Sequence, residues 1–306
     1  MKPLVLTPGD PTGIGPEITC KALASWHAAP VVVVGDRAAL DPWAERFGVS
    51  LVTVDDLRSA PDGVAVLDPG DEAEPVEVAA LRIGVGACLN GRASALVTGP
   101  IHKARLARRG FHHAGHTGFL GELCGVDRPV MAFVGGRVRV ALCTVHLPLR
   151  QVATAWTADV ILHTVRAAWQ ARPGRIAVCG LNPHAGDEGL LGEEDAREAG
   201  PAVAAARSEG IDAIGPISAE GAFRAALRGD VDWVVAAYHD QGLVALKALD
   251  IASGAGPASR SVNWTLGLPI VRVGVDHGTA HDIAGRGVAD EGGMLAALTL
   301  AAERGR

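Results

Sequence analysis

Short runs rich in Val, Ile and Leu recur along the chain and alternate with longer stretches whose apolar residues fall at helical spacing, the pattern of an α/β protein. The runs read as strands are Leu4–Thr7, Val31–Val34, Ala95–Thr98, Val130–Val134, Val138–Cys143, Ile176–Cys179, Trp233–Ala236 and Ile270–Val273. Helical spacing covers Pro16–Ser25, Val76–Asn90, His102–Arg109, Ala158–Ala171, Glu193–Glu209 with a kink expected at Pro201, Ala219–Arg228, Gln241–Leu249 and Met294–Glu303. This order predicts a mostly parallel or mixed sheet covered by helices. No repeat or low-complexity tract interrupts it, and the stretch richest in Ala, Gly and Ser, Asp250–Ser261, reads as a surface loop.

At 306 residues the chain is long enough for two domains or one large α/β unit. Its 48% apolar and 20% charged residues exclude a disordered or fibrous class. The longest aliphatic runs fall far short of the ~20 residues of a membrane-spanning helix, so no membrane partner is expected. A net charge of −6, without a basic cluster interleaved with aromatics, argues against nucleic acid but leaves room for a local cationic pocket. The first residues, MKPLVLTPGD, lack a secretory pattern, and a cytoplasmic location is the expectation. Cys20, Cys88, Cys124, Cys143 and Cys179 form no C-x-x-C pair and read as reduced core residues.

Of the 28 Lys and Arg residues only Lys2, Lys21, Lys103 and Lys247 are lysines. Lys2 and Lys21 are expected at the surface, whereas Lys103 and Lys247 lie in the motifs richest in polar residues. Gly9 to Glu17, GDPTGIGPE, follows the first strand and opens a helix, where backbone N–H groups can face an anion, although it is not a dinucleotide fingerprint. The turn TGPIHK, Thr98 to Lys103, places Lys103 at the carboxyl end of another strand.

His146, His184, His239 and His277 each stand just past the carboxyl end of a predicted strand. Neutral imidazoles gathered on one sheet edge suit a divalent metal with an open position for substrate, and placement alone leaves open which three of the four bind. His27, His112 and His113 lack that placement and are expected at the surface. Lys103, Asp240 and Asp276 are the candidates for catalytic proton transfer. A metal, lysines, Arg272 and carboxylates together suit oxidation of a hydroxyl on an anionic substrate. A metal-dependent hydrolase using the same histidines, or a pure binding protein, would use the same residues without hydride transfer.

Seven motifs in order carry a resemblance to a known family: GDPTGIGPE, VTGPIHK, GHT at Gly115 to Thr117, TVHLPL at Thr144 to Leu149, CGLNPHAG at Cys179 to Gly186, YHDQGL at Tyr238 to Leu243, and TLGLP with VDHGTA between Thr265 and Ala280. Over essentially its whole length the sequence resembles the PdxA family of 4-hydroxythreonine-4-phosphate dehydrogenases. The resemblance implies a two-lobed, three-layer α/β/α fold of the isocitrate and isopropylmalate dehydrogenase type with an active-site cleft between lobes. One lobe would comprise residues 1–125 and 255–306 on the cofactor side, the other residues 126–254 on the metal and dimerisation side. It implies a homodimer with the site near the interface, NAD or NADP as cofactor, and one divalent metal per subunit, zinc, magnesium or cobalt, held by His146, His184 and His239. Its substrate contacts fall on His116, Thr117, Lys247, Asn263 and Arg272. The implied reaction oxidises 4-phosphohydroxy-L-threonine to a β-keto acid that decarboxylates to 3-amino-2-oxopropyl phosphate in vitamin B6 synthesis. Gly118 replaces a carboxylate of the family pattern, and the stretch from Lys247 to Asn263 is longer than that pattern. Four-carbon sugar-acid phosphates and cyclic dihydrodiol carboxylates, substrates of relatives, are therefore the alternatives.

Overall fold

The computed structural model describes residues 1–59, 62–70, 74–113, 115–135, 137–253 and 260–305. The chain divides into two compact units, Met1–Pro129 with Ala258–Arg306, and Val130–Pro257.

The first unit holds β1 (Leu4–Thr7), α1 (Gly15–Ser25), β2 (Val31–Val34), α2 (Arg37–Phe47), β3 (Val52–Thr53), β4 (Val64–Leu67), α3 (Val76–Leu89), β5 (Ala95–Thr98), α4 (Lys103–Arg108) and α5 (His116–Cys124), then β11 (Val262–Leu266), β12 (Arg272–Val275) and α11 (Gly292–Arg304). Its strand order is β3-β4-β2-β1-β5-β12-β11, parallel except for the β11–β12 pair. All residues of β1, β2 and β5 are buried, as strands covered by helices on both faces must be. The chain order reverses between β1 and β5, and at such a switch point the loops beyond the strand carboxyl ends diverge to leave a ligand crevice. The loops after β1, β5 and β12 therefore share one edge.

Within this unit Glu17, predicted only to suit the start of a helix, is fully buried and accepts the N–H groups of Gly287 at 3.2 Å and Ala289 at 2.8 Å. Lys21 pairs with it at 2.9 Å and donates to the carbonyls of the same two residues, so Lys21 is a largely buried clamp rather than a surface residue. His113 also departs from expectation: it packs against Phe111 and Phe119 and pairs with Glu122 at 3.3 Å.

The second unit holds β6 (Val130–Gly135), β7 (Val138–Leu142), α6 (Leu149–Ala155), α7 (Ala158–Ala171), β8 (Ile176–Cys179), α8 (Gly200–Ser208), β9 (Ala213–Ile217), α9 (Ala219–Arg228), β10 (Trp233–Ala236) and α10 (His239–Ala252). Strand order is β6-β7-β10-β8-β9, with β7, β10, β8 and β9 parallel and β6 antiparallel to β7. The three adjacent strands β7, β10 and β8 thus end on one edge. The helix expected over Glu193–Glu209 begins instead as a π-helical turn, Asp195–Ala199, and continues as α8 with Pro201 in its first turn. The surface loop expected over Asp250–Ser261 is corrected at both ends: α10 runs through Ala252, and Asp250 and Ser261 are buried. Residues 254–259 of that stretch lie outside the described residues. Of the five cysteines, Cys20 and Cys179 are buried and the other three half-buried, all as free thiols. Among the described residues no helix is long and apolar enough to cross a membrane.

Candidate functional site

In the first unit the strand register sets Thr98 beside Gly274, Asn263 across from Gly274, and Thr265 across from Arg272. Arg272 is only 3% exposed. Its Nη1 donates to Asn263 Oδ1 at 2.6 Å and Thr265 Oγ1 at 3.0 Å, and its Nη2 donates to Thr98 Oγ1 at 2.5 Å. Its Nε has no partner. A side chain at position 274 would meet Thr98 Oγ1 at 2.6 Å and Arg272 Nη2 at 2.7 Å, so only glycine leaves the guanidinium room. No carboxylate among the described residues pairs with it. Burial pushes the Arg272 pKa down to about 9, which still leaves a cation at neutral pH.

His116 and Thr117 open α5 and therefore sit where its unsatisfied N–H groups lie. Burial, then the positive charges of Arg272 and Lys103, hold His116 well below its ordinary pKa, so its imidazole is neutral at pH 7. Its buried Nε2 has no hydrogen-bond partner. Lys103 begins α4, and its Nζ lies 3.5 Å from where a side chain on Gly115 would start. A desolvated guanidinium, a lysine, a neutral imidazole and a helix N-terminus form an anion-binding arrangement. The structure thus brings Lys103, His116, Asn263 and Arg272 together, with Thr117 beside them in sequence. Asp276 accepts from Ser261 Oγ at 2.8 Å, and the Nδ1 of His277 faces the carbonyl of Gly278 at 3.0 Å.

Sequence reasoning missed Asp10 as a hub in the same unit. It is fully buried, accepts Thr12 N–H at 2.9 Å and Thr12 Oγ1 at 2.8 Å, and pairs with Arg105 at 2.9 Å and His281 at 3.2 Å. Burial would raise its pKa, but the Thr12 hydrogen bonds, Arg105 and His281 outweigh that and lower it. Arg105 also pairs with buried Glu77, whose carboxyl burial pushes up despite that contact. His281 stacks on His102 at 4.9 Å. Asp10 therefore ties the loops after β1, β5 and β12 into one body. Its only sequence signal was its place in GDPTG.

In the second unit His146 follows β7, His239 follows β10 and His184 follows β8. The His146 and His239 rings stand 5.5 Å apart at 42°. Two imidazoles on one tetrahedral ion, each nitrogen at about 2.0–2.1 Å, have centroids about 5 Å apart, so this pair fits a shared divalent cation. His239 Nδ1 meets Asp240 Oδ1 at 2.7 Å, which orients the ring and leaves Nε2 as the nitrogen available to a ligand. The structure does not bring His184 into the pair: among the described residues no group of three His, Cys, Asp or Glu side chains is gathered tightly enough to hold a metal. His184 begins a run of left-handed residues from His184 to Glu188. Lys247 lies on α10.

Known proteins bear on this arrangement. The family model described as "Pyridoxal phosphate biosynthetic protein PdxA" matches residues 27–301. The chain is 41% identical to a 4-hydroxythreonine-4-phosphate dehydrogenase of Geobacter metallireducens over 337 aligned residues, covering 99% of this chain and 95% of that protein. The crystal structure of 4-hydroxythreonine-4-phosphate dehydrogenase from Klebsiella pneumoniae superposes with a TM-score of 0.87 at 33% identity, covering 99% of this chain and 98% of the other. A terephthalate 1,2-cis-dihydrodiol dehydrogenase from Burkholderia xenovorans superposes with a TM-score of 0.69 at 26% identity, covering 98% and 97%.

The His116 environment makes a pH prediction. The unfolded chain takes a proton on this residue below about pH 6.5, while the folded chain does so only at lower pH. Stability therefore falls as pH drops from about 6.5 toward the folded-state pKa, by up to about 1.4 kcal/mol per pH unit from this residue. Urea unfolding between pH 5 and 7 should show a shallower pH dependence for His116→Gln than for wild type. Equal slopes would contradict a His116 that stays neutral in the folded chain.

Proposed function

This chain belongs to the PdxA family and is a dehydrogenase, and on that premise we propose that it oxidises the C3 hydroxyl of 4-phosphohydroxy-L-threonine with NAD. The carbonyl so formed lies β to the carboxylate, and loss of CO₂ followed by protonation yields 3-amino-2-oxopropyl phosphate. The observation that carries the reading is the buried Arg272 guanidinium, held by three neutral oxygens and, among the described residues, by no carboxylate. A cation stripped of water is costly unless an anion completes its shell, and the substrate offers a carboxylate and a phosphate.

In this reading His116, Thr117, Lys247, Asn263 and Arg272 hold the substrate anions, and the N-terminus of α5 adds its N–H groups. Lys103 Nζ moves the hydroxyl proton, because Asp240 is engaged in orienting His239 and Asp276 in accepting from Ser261. The family resemblance assigns His146, His184 and His239 to one divalent cation per subunit; this structure pairs the His146 and His239 rings and leaves His184 outside the pair, and imidazole ligands favour zinc over magnesium. When bound, the cation would supply Lewis acidity and the dinucleotide would supply a hydride acceptor. The unit containing the C-terminal segment carries the dinucleotide, and the unit of residues 130–257 carries the metal and the dimer contacts. Exposed Leu147, Leu149, Leu190 and Leu191, neighbours in sequence of His146 and His184, offer apolar surface that a second copy of the chain would cover.

A second reading has its own support in the likeness to the dihydrodiol dehydrogenase structure: a cyclic dihydrodiol carboxylate in place of the phosphate ester. Incubation with zinc, NAD or NADP, and each substrate separates the two. NADH formation and CO₂ release with 4-phosphohydroxy-L-threonine are expected. Faster turnover of a dihydrodiol carboxylate would replace the substrate assignment, and the absence of reduced dinucleotide with every substrate, four-carbon sugar-acid phosphates included, would contradict the reading.

Lys247 gives a sharper test. Charge-assisted hydrogen bonds contribute about 1.5–3 kcal/mol each, so Lys247→Ala should raise KM for the phosphorylated substrate by roughly ten- to a hundredfold. An unphosphorylated analogue should be affected far less. Equal losses on both would remove Lys247 from the phosphate pocket.

A further inference from the structure

Gln241 lies in the first turn of α10, and nothing in the proposed reaction uses it. Its Nε2 donates to the carbonyl of Gly180 at 2.8 Å, and its Oε1 accepts the N–H of Ala237 at 2.7 Å. That pairing fixes the amide orientation, since a backbone N–H needs an acceptor and a carbonyl needs a donor. The carbonyl of Ala237 accepts both the N–H of Thr144 at 3.2 Å and its Oγ1 at 2.8 Å. Thr144 precedes His146, Ala237 precedes His239, and Gly180 opens the loop that carries His184. One chain of hydrogen bonds therefore joins all three histidine-bearing turns.

The loop after β8 is pinned from its other side by Asp195, which is 1% exposed. Asp195 accepts the N–H of Leu181 at 2.7 Å, the N–H of Asn182 at 3.1 Å and Asn182 Nδ2 at 3.1 Å. A side chain at Gly180 would meet Ala185 Cα and Asp195 Oδ1, both at 2.7 Å, so the loop closes tightly on this carboxylate. His146 and His184 both hold left-handed backbones, with φ of 50° and 54°. Residues other than glycine stay in that region only where their surroundings over-determine them. The chain through Gln241, with Asp195 behind it, is such a surrounding.

We propose that Gln241 is a positioning residue that holds the turns bearing His146, His184 and His239 in fixed register. The metal-related consequence rests on the metal reading above; the coupling of the turns does not. Partners behind metal ligands set affinity by orienting them, and their loss typically weakens binding about 10–100-fold.

The test is Gln241→Met, which keeps similar bulk and can neither donate nor accept here. In metal-free protein, amide hydrogen exchange at Ala237 and across residues 180–186 should speed up about tenfold, with β12 unchanged. Zinc affinity, measured by equilibrium dialysis, should fall by about 10–100-fold. Unchanged exchange overturns the coupling. Faster exchange with unchanged zinc affinity overturns the positioning role toward the metal. A wild type that takes up no zinc overturns the metal reading alone, and the exchange rates still decide the coupling. Should Gln241→Met fail to fold, Gln241→Glu keeps the acceptor for Ala237 and lacks the donor for Gly180, so faster exchange is expected over residues 180–186 only, and unchanged exchange there overturns the proposal.

Discussion

A guanidinium removed from water and met by three neutral oxygens is the constraint on which the first unit is organised. Taking an ion out of water costs several kcal/mol even after relaxation, and hydroxyl and amide acceptors offset only part of it. The backbone is arranged around that cation: Gly274 gives up a side chain for it, and Thr98, Asn263 and Thr265 turn oxygens toward it from two neighbouring strands. Burial first, and then the guanidinium's field and that of Lys103, keep His116 neutral. Under the proposed reading, the free enzyme holds here a site that the substrate anion completes.

The second unit meets a different requirement. Under the proposed metal reading, imidazoles must be aimed at one ion from separate turns, and turns drift unless something ties them. Parallel pairing of β7, β10 and β8 brings three loops to one edge, and backbone-to-side-chain hydrogen bonds then set the loops against each other. Fold and chemistry are linked through carboxyl ends of strands in both units. Burial of the strands fixes where the loops begin, and a few buried polar side chains fix where they go.

Much of this was legible in the sequence because it follows from periodicity. β1, β2, β5, β8 and β10 lie where unbroken apolar runs placed them, and His146, His184 and His239 stand out by following such runs. What was missed has physical causes. β11 was hidden because Asn263 and Thr265 interrupt its apolar pattern, and these are the oxygens that hold Arg272. α2 was hidden by Pro42 within it, and β12 begins later than expected because Ile270 and Val271 lie ahead of the strand. The roles of Asp10, Glu17, Asp195 and Gln241 depend on partners far away in the chain, which no local pattern encodes.

The most direct measurement of the central claim is calorimetric titration of 4-phosphohydroxy-L-threonine into the wild type and into Arg272→Met, with circular dichroism to establish that both fold alike. If the buried guanidinium is completed by the substrate anion, affinity should fall about ten- to a hundredfold in the variant while the fold is retained. Affinity within about twofold of wild type would contradict the account, since a charge-assisted contact of this kind cannot be lost at so small a cost.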